Sequence, residues 1–309
     1  MPLLNPPPQN LYRWNPAALD AILRSMNGGE ESSVGASSSM KLTVLGSGTC
    51  GSQMPGVVNR KPPAFVVRSQ TKTIMFDCSE AVRFRLEKAG FNFVDINHIC
   101  ISHAHPDHYA FVHFLQSIGC INSWLGPHSE RIDIYAPRHI TENFDTLWAL
   151  YVPDDPERKS RIWPALHFHA MSNPDKQERA IGEHKLKSFS VYHGHGKVDA
   201  CAFRLEAEGK TFVYSGDTGE CEGIRQCAQG ADLFLCEASA RIHDVENPHA
   251  YGHLTPRLAG DIALKASVKH MVFFHYTGLN SDDEMIADCR KSGYEGALTI
   301  AKDFDVVSF

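Results

Sequence analysis

No run of eighteen or more apolar residues occurs anywhere in the chain, so a membrane-spanning helix is not expected. The N-terminus also lacks the charged-then-apolar order of a secretory signal, which leaves the cytoplasm as the expected compartment. Excess positive charge is missing. Against 30 Lys and Arg stand 36 Asp and Glu, and the formal charge of −6 gives no basic footprint for gripping a nucleic-acid backbone. A disulfide framework is excluded by nine cysteines, an odd and scattered set. Several of them sit inside apolar runs, where a reduced thiol acts as a small hydrophobe. The glycine-rich Gly46-Ser47-Gly48-Thr49 has neither the Lys-Ser/Thr ending of a phosphate loop nor the third glycine of a dinucleotide fingerprint, and reads as a tight turn near a site. What remains is the composition of an ordinary globular protein, 43% hydrophobic, long enough to bury a sizeable core.

Two stretches are expected: residues 1–39 as an appended extension and linker, and residues 40–309 as one domain. The first opens on Pro6-Pro7-Pro8, allows one short helix from Pro16 to Met26, and ends in a Gly/Ser/Glu linker. Trp14, Leu19, Ile22 and Leu23 would pack on the domain or on a sister subunit in a homodimer. Within the domain, Ser79 is the expected cap of a helix running to Ala89, stopped by Gly90. A further helix is expected from about Tyr109 to Gly119. Residues 137–182 read as an irregular insert or lid, because Pro153, Pro156, Pro164 and Pro174 interrupt any long element. His167 and His169 share one face of a strand there.

The informative stretch is Ser102-His103-Ala104-His105-Pro106-Asp107-His108. Asn97-His98-Ile99-Cys100-Ile101 alternates apolar and polar residues before it, and so predicts a strand that delivers three imidazoles and a carboxylate to its C-terminal end. These side chains suit a borderline divalent ion, Zn²⁺ first, with Mn²⁺ and Fe²⁺ as alternatives. Four ligand-type residues in so short a loop serve two neighbouring ions better than one. The same placement recurs: Asp217, Glu237 and His275 each follow a strand-like run, respectively Thr211–Ser215, Asp232–Cys236 and Lys269–Phe274. Thr255 and Pro256 mark the start of a helix just after His253.

The His-x-His-x-Asp-His pattern after a strand resembles the metallo-β-lactamase superfamily, from about Met40 onward. The resemblance implies an α/β layered αββα sandwich, two mixed sheets face to face with helices outside. It also implies one ion on His103, His105 and His195, a second on Asp107, His108 and His275, and Asp217 bridging them. His195 follows from aligning Val198, Ala200 and Phe203-Arg204 on the superfamily's His-Gly-x-Val-x-Ala-x-Gly-Tyr-Arg segment; His193 is the alternative. Two such ions lower the pKa of a shared water and stabilise a developing oxyanion, so the implied class is hydrolysis.

Phe76-Asp77-Cys78-Ser79-Glu80 is similar to the Phe-Asp-Cys-Gly-Glu of ribonuclease Z, in which the aspartate supports a metal-bound histidine. Glu237 and His253-Leu254-Thr255 resemble the pair that, in ribonuclease Z-like phosphodiesterases, orients a histidine protonating the leaving oxygen. Asp107, Glu237 and His253 are thus the catalytic candidates. The long tRNA-gripping arm of ribonuclease Z has no counterpart, since only 21 residues separate His195 from Asp217. With the acidic charge this makes long nucleic acid a doubtful substrate. A phosphodiesterase acting on a small phosphodiester or nucleotide is the first expectation. Its alternatives are a carbonyl hydrolase (lactonase, thioesterase or β-lactamase-like), an armless tRNA 3′ endonuclease, and a non-catalytic subunit.

Overall fold

The computed structural model describes residues 40–52, 59–125, 131–171, 177–242 and 251–309. The expectations for residues 1–39 lie outside them.

Short alternating and apolar runs form two seven-stranded sheets. The first comprises β1 (Lys41–Gly46), β2 (Ala64–Arg68), β3 (Thr73–Phe76), β4 (His98–Cys100), β5 (Arg131–Ala136), β6 (Ala165–Ala170) and, at its far edge beside β1, β14 (Val306–Ser308). The second runs from β7 (Gln177–Ile181) through β8 (His184–Ser190), β9 (Cys201–Ala207), β10 (Lys210–Tyr214), β11 (Leu233–Glu237) and β12 (His270–Phe274) to β13 (Ala297–Ile300). Both are mixed, with β3 to β6 mutually parallel in one and β10 to β13 in the other.

Period-two alternation sorts side chains into layers. Phe65 and Val67 of β2 join Leu233 and Leu235 of β11 in the core between the sheets, while Val66 and Phe234 turn outward. Outward residues of the first sheet are covered by α1 (Val82–Lys88), α2 (Phe111–Leu125) and α3 (Arg138–Tyr151). Those of the second are covered by α4 (Glu222–Cys227), α5 (Pro256–Lys265) and α6 (Asp282–Arg290). This is the αββα sandwich expected from the sequence. Among the described residues no helix is long and apolar enough to cross a membrane.

Local expectations fared unevenly. Thr255 caps α5 as expected, its hydroxyl accepting from the Leu258 amide at 3.3 Å, with Pro256 in the first turn. Ser79 does not cap α1. Its hydroxyl donates to the Pro62 carbonyl and accepts from the buried Arg85 guanidinium, and left-handed Ala81 precedes the helix instead. Helix α2 continues past Gly119, because that glycine serves packing: a Cβ there would lie 1.8 Å from the Trp163 ring.

The insert read as irregular contains α3, which buries Ile140, Phe144 and Trp148 at helical spacing. Pro137 precedes its first turn, where no amide hydrogen is needed, and Pro153 follows its last. Asp155 then organises the connection, accepting from the Lys159 and Ser160 amides and from the Trp163 indole. His169 behaves as a strand residue, bonded to Asp133 and stacked on Tyr135.

Candidate metal centre

Parallel strands all present their carboxyl ends to one side, and in open α/β sheets the crevice outside those ends collects functional groups. Asp77 and His103 stand just beyond β3 and β4; Asp217 and His275 follow β10 and β12, and Glu237 ends β11. The two rims are stitched together. The Cys201 amide donates to the Ser102 carbonyl at 3.0 Å, and Gly48 pairs with Tyr276. The glycine-rich turn therefore borders the site, and it does so without an anion cradle. Its amides are already bonded: Ser47 to Asp303, Gly48 to Lys61, Thr49 to Ser52, and Cys50 to Asp107 at 3.2 Å.

Donor atoms of His103, His105, His193 and Asp217 lie within 4.8 Å of one another, and so do those of Asp107, His108 and His275. Asp217 stands between the groups. Its Oδ1 is 3.3 Å from His108 Nε2; its Oδ2 is 3.3 Å from His275 Nε2 and 3.9 Å from the Nε2 atoms of both His103 and His193. Asp107 Oδ2 lies 3.7 Å from His275 Nε2. Five atoms here are buried without a hydrogen bond: His103 Nε2, His108 Nε2, both ring nitrogens of His275 and Asp217 Oδ1. Such a concentration of unsatisfied buried atoms is costly unless something else binds them. Divalent cations fit, because the set offers imidazole nitrogens and carboxylate oxygens and no thiolate.

Charge states agree with that use except at His108, where burial is outweighed by Asp217 and Asp77, which raise the imidazole well above its ordinary pKa, so a cation there would displace a proton. Burial pulls the His103 imidazole far below its ordinary pKa, and lowers those of His105 and His193 in the same way, which keeps lone pairs free. Burial alone would raise Asp217, but His108 and His275 beside it hold it well below the usual carboxylate range. Asp107 is likewise lowered, burial being outweighed by its contacts with His275 and His108.

His195, expected as a ligand, is not in the cluster; His193 is. His193 keeps extended backbone (φ −141°), but Gly194, His195 and Gly196 all have positive φ and turn the chain away. The His195 ring packs on Tyr251 at 4.9 Å. His193 Nδ1 donates to the Gly252 carbonyl at 3.1 Å, which fixes the tautomer and frees Nε2, 3.1 Å from His105 Nδ1. Gly252 makes this approach feasible, since a Cβ there would fall 2.7 Å from His193 Cα.

Asp77, fully buried, holds the histidine loop in place. Its Oδ2 accepts from His108 Nδ1 at 2.6 Å, from the Ser102 hydroxyl at 2.8 Å and from the Tyr214 hydroxyl, while Oδ1 takes the Ser102 amide at 2.7 Å. Ser102 Oγ in turn meets His103 Nδ1 at 3.0 Å, so one carboxylate orients two imidazoles. Ser102 and Tyr214 were not read as site residues. Tyr214 did carry a signal, a tyrosine in an apolar strand whose hydroxyl needs a partner.

Glu237 is also fully buried and fully bonded. Oε1 accepts from the Thr218 amide and His253 Nδ1, at 3.0 and 2.7 Å, and Oε2 from the amide and hydroxyl of Ser239. Burial would push it up, yet His253 holds it below its ordinary value. Burial alone would lower His253, but the Glu237 charge and hydrogen bond raise it to about 9. The His253 side chain is 25% exposed, against 6% for His275 and 3% for Asp217 beside it, and so borders the open side of the cluster. A ring nitrogen of His253 lies within 4.8 Å of donor atoms of Asp217 and His275.

Fold, strand-end placement and donor set converge with a direct sequence match: the family described as beta-lactamase superfamily domain matches residues 72–276. The chain belongs to that superfamily. A ribonuclease Z of Streptomyces coelicolor is 28% identical over 295 residues, spanning 85% of this chain and 95% of that enzyme. Among solved structures, the metallo-β-lactamase fold protein YhfI of Bacillus subtilis superposes with a TM-score of 0.70 at 22% identity, over 88% of this chain and all of that one. A diphosphatase of the PhnP family follows at 0.64 and 17%, over 88% and 97%. At these identities the solved structures speak to the fold. Membership and relatives together place the protein in the class of metal-dependent hydrolases.

Proposed function

We propose that the protein is a binuclear metal-dependent phosphodiesterase acting on a small phosphodiester or nucleotide. The observation that carries this reading is the His253–Glu237 pair, set at the open side of a cluster of seven ligand-type residues. One ion would be held by His103, His105 and His193 and the other by Asp107, His108 and His275, with Asp217 shared. Zn²⁺ is the first choice for such donors and Mn²⁺ or Fe²⁺ the alternatives. Bound there, divalent ions supply an activated water and neutralise charge on phosphoryl oxygens.

The chain's own part is proton management. Glu237 accepts the Nδ1 proton of His253 and fixes the ring, which leaves Nε2 to carry a proton to a departing oxygen. A ribose or alkyl oxygen leaves poorly as a bare anion, so a phosphodiester needs this donor more than an activated ester does. Asp77 and Ser102 hold His108 and His103 in the tautomers that aim Nε2 at Asp217.

Cleavage of tRNA 3′ ends is the second reading, favoured by the relatives named ribonuclease Z. Against it stands the segment between His193 and Asp217, which is taken up by β9, β10 and a tight turn at Glu208 and Gly209, both at positive φ, with no room for an arm. The acidic net charge argues the same way. Comparing kcat/KM for a cyclic nucleotide, bis-p-nitrophenyl phosphate, a lactone, a β-lactam and a precursor tRNA on one preparation tests both readings. A lactone ahead by more than about tenfold, some 1.4 kcal/mol of barrier, overturns the phosphodiesterase assignment.

A further inference from the structure

A second feature lies directly beside the histidine loop. His103, His105 and Asp107 turn into the cluster, while the alternate residues Ala104 and Pro106 form one wall of a cavity of about 420 Å³. Helices α2 and α3 supply most of the other walls, and Glu80, Tyr109 and Ala110 complete them, Glu80 adding a carboxylate. The floor is apolar, with Ile140, Phe144 and Leu147 of α3 facing Phe111 of α2. The rim is different. His113 and Tyr151 meet edge to face across it at 5.5 Å and 85°, and both are exposed. His139 and Asn143, one helical turn apart, add polar groups. A concave apolar site of some 300–1,000 Å³ with a few convergent polar groups is the usual form of a small-molecule pocket.

We propose that this cavity receives the base of a nucleotide-type substrate whose phosphodiester lies at the metal cluster. The inference rests on the phosphodiesterase reading and names the substrate class of that site. Three properties point to a flat heterocycle in place of an alkyl chain. The exposed aromatic rims offer ring faces and edges for stacking. The Asn143 amide nitrogen donates to the His139 carbonyl at 2.8 Å and meets His139 Nδ1 at 3.4 Å, so the Asn143 carbonyl oxygen and His139 Nε2 are the groups that suit the heteroatoms of a ring edge. Ala104 and Pro106 line the cavity while His105 between them belongs to the cluster, so a phosphate near His105 and a base beyond Pro106 are one loop apart. A substrate held in this way gains binding from a part that does not react, and that energy sets specificity through kcat/KM.

The test pairs binding with turnover. Adenosine, which has no phosphate, is titrated calorimetrically into the wild type, Asn143→Trp (the indole placed to fill the cavity from its exposed rim) and Tyr151→Ala. Turnover is measured on adenosine 2′,3′-cyclic phosphate and on the same ester of methyl riboside, which has no base. Adenosine should bind the wild type, and both variants should weaken it by about tenfold, within the range of one lost base-stacking contact. KM for the nucleotide should rise in parallel, with kcat/KM for the baseless ester unchanged. Adenosine binding that is absent in the wild type, or equal in all three proteins, overturns the inference. So does an equal kcat/KM for the two esters. If neither ester is cleaved while adenosine binding still depends on residues 143 and 151, the cavity assignment stands and the phosphodiesterase reading falls.

Discussion

Replacing His253 with alanine separates a proton donor from a loop histidine. The structure indicates that the substitution should be clean. His253 is one of four donors to Glu237, and the Thr218 amide and both Ser239 donors remain, so the carboxylate stays hydrogen-bonded although it loses its charge partner and burial then raises its pKa. The lost side chain is a quarter exposed and leaves no sealed cavity. Its effect should therefore appear in catalysis. A positioned general acid contributes about 10²–10⁴ in rate, or roughly 2.7–5.4 kcal/mol of barrier. That loss is expected in kcat on a cyclic nucleotide, whose ribose oxygen requires a proton. On bis-p-nitrophenyl phosphate, whose phenolate departs unprotonated, less than about tenfold should be lost. Both rates are measured on one preparation with metal content determined alongside, since depleted ions would imitate a catalytic defect. Equal losses on the two esters, with the ions retained, would show that His253 binds or positions and does not donate.

Glu237→Gln removes the charge that raises His253 to about 9, so the acid form should be lost at lower pH and the alkaline fall of kcat on the cyclic nucleotide should shift downward; an unmoved limb contradicts the pairing. His193→Ala should deplete bound metal in elemental analysis while His195→Ala leaves it intact, and the opposite pattern would restore the alignment-based assignment. Asp217→Ala should lower occupancy of both ions and His275→Ala chiefly one, because Asp217 faces both donor groups. Asp77→Ala strands the Ser102 amide and hydroxyl, His108 Nδ1 and the Tyr214 hydroxyl, all buried. At about 1–3 kcal/mol for each orphaned donor, with partial relaxation, a destabilisation of at least about 3 kcal/mol is expected in a denaturant titration. A shift below about 1 kcal/mol would mean that these groups find other partners.

Much of the centre was legible in the one-dimensional chain because it is built locally. His103, His105, Asp107 and His108 fall within six positions, and their spacing alone concentrates donors at a strand end. Asp217, Glu237 and His275 were legible for a related reason: parallel strands share a polarity, so residues that follow apolar runs arrive at one rim. The helix starting at Pro256 was likewise announced by local cap chemistry at Thr255.

The exceptions all involve contacts between distant segments. Ser79 has the chemistry of a cap, yet Pro62 and Arg85 claim its hydroxyl. The helix expected to end near Gly119 runs on to Leu125, and Gly119 is the space that Trp163 occupies from another element. On an extended strand His193 and His195 would face the same way, and the sequence alone left both open as ligands. The choice was made by three successive residues at positive φ and by Gly252, 59 positions further on, whose carbonyl holds one imidazole and whose missing side chain leaves it room. Donor types and strand polarity are local properties, written in runs of a few residues; which ring turns inward depends on steric space between segments, and that space exists only once the two sheets have closed on each other.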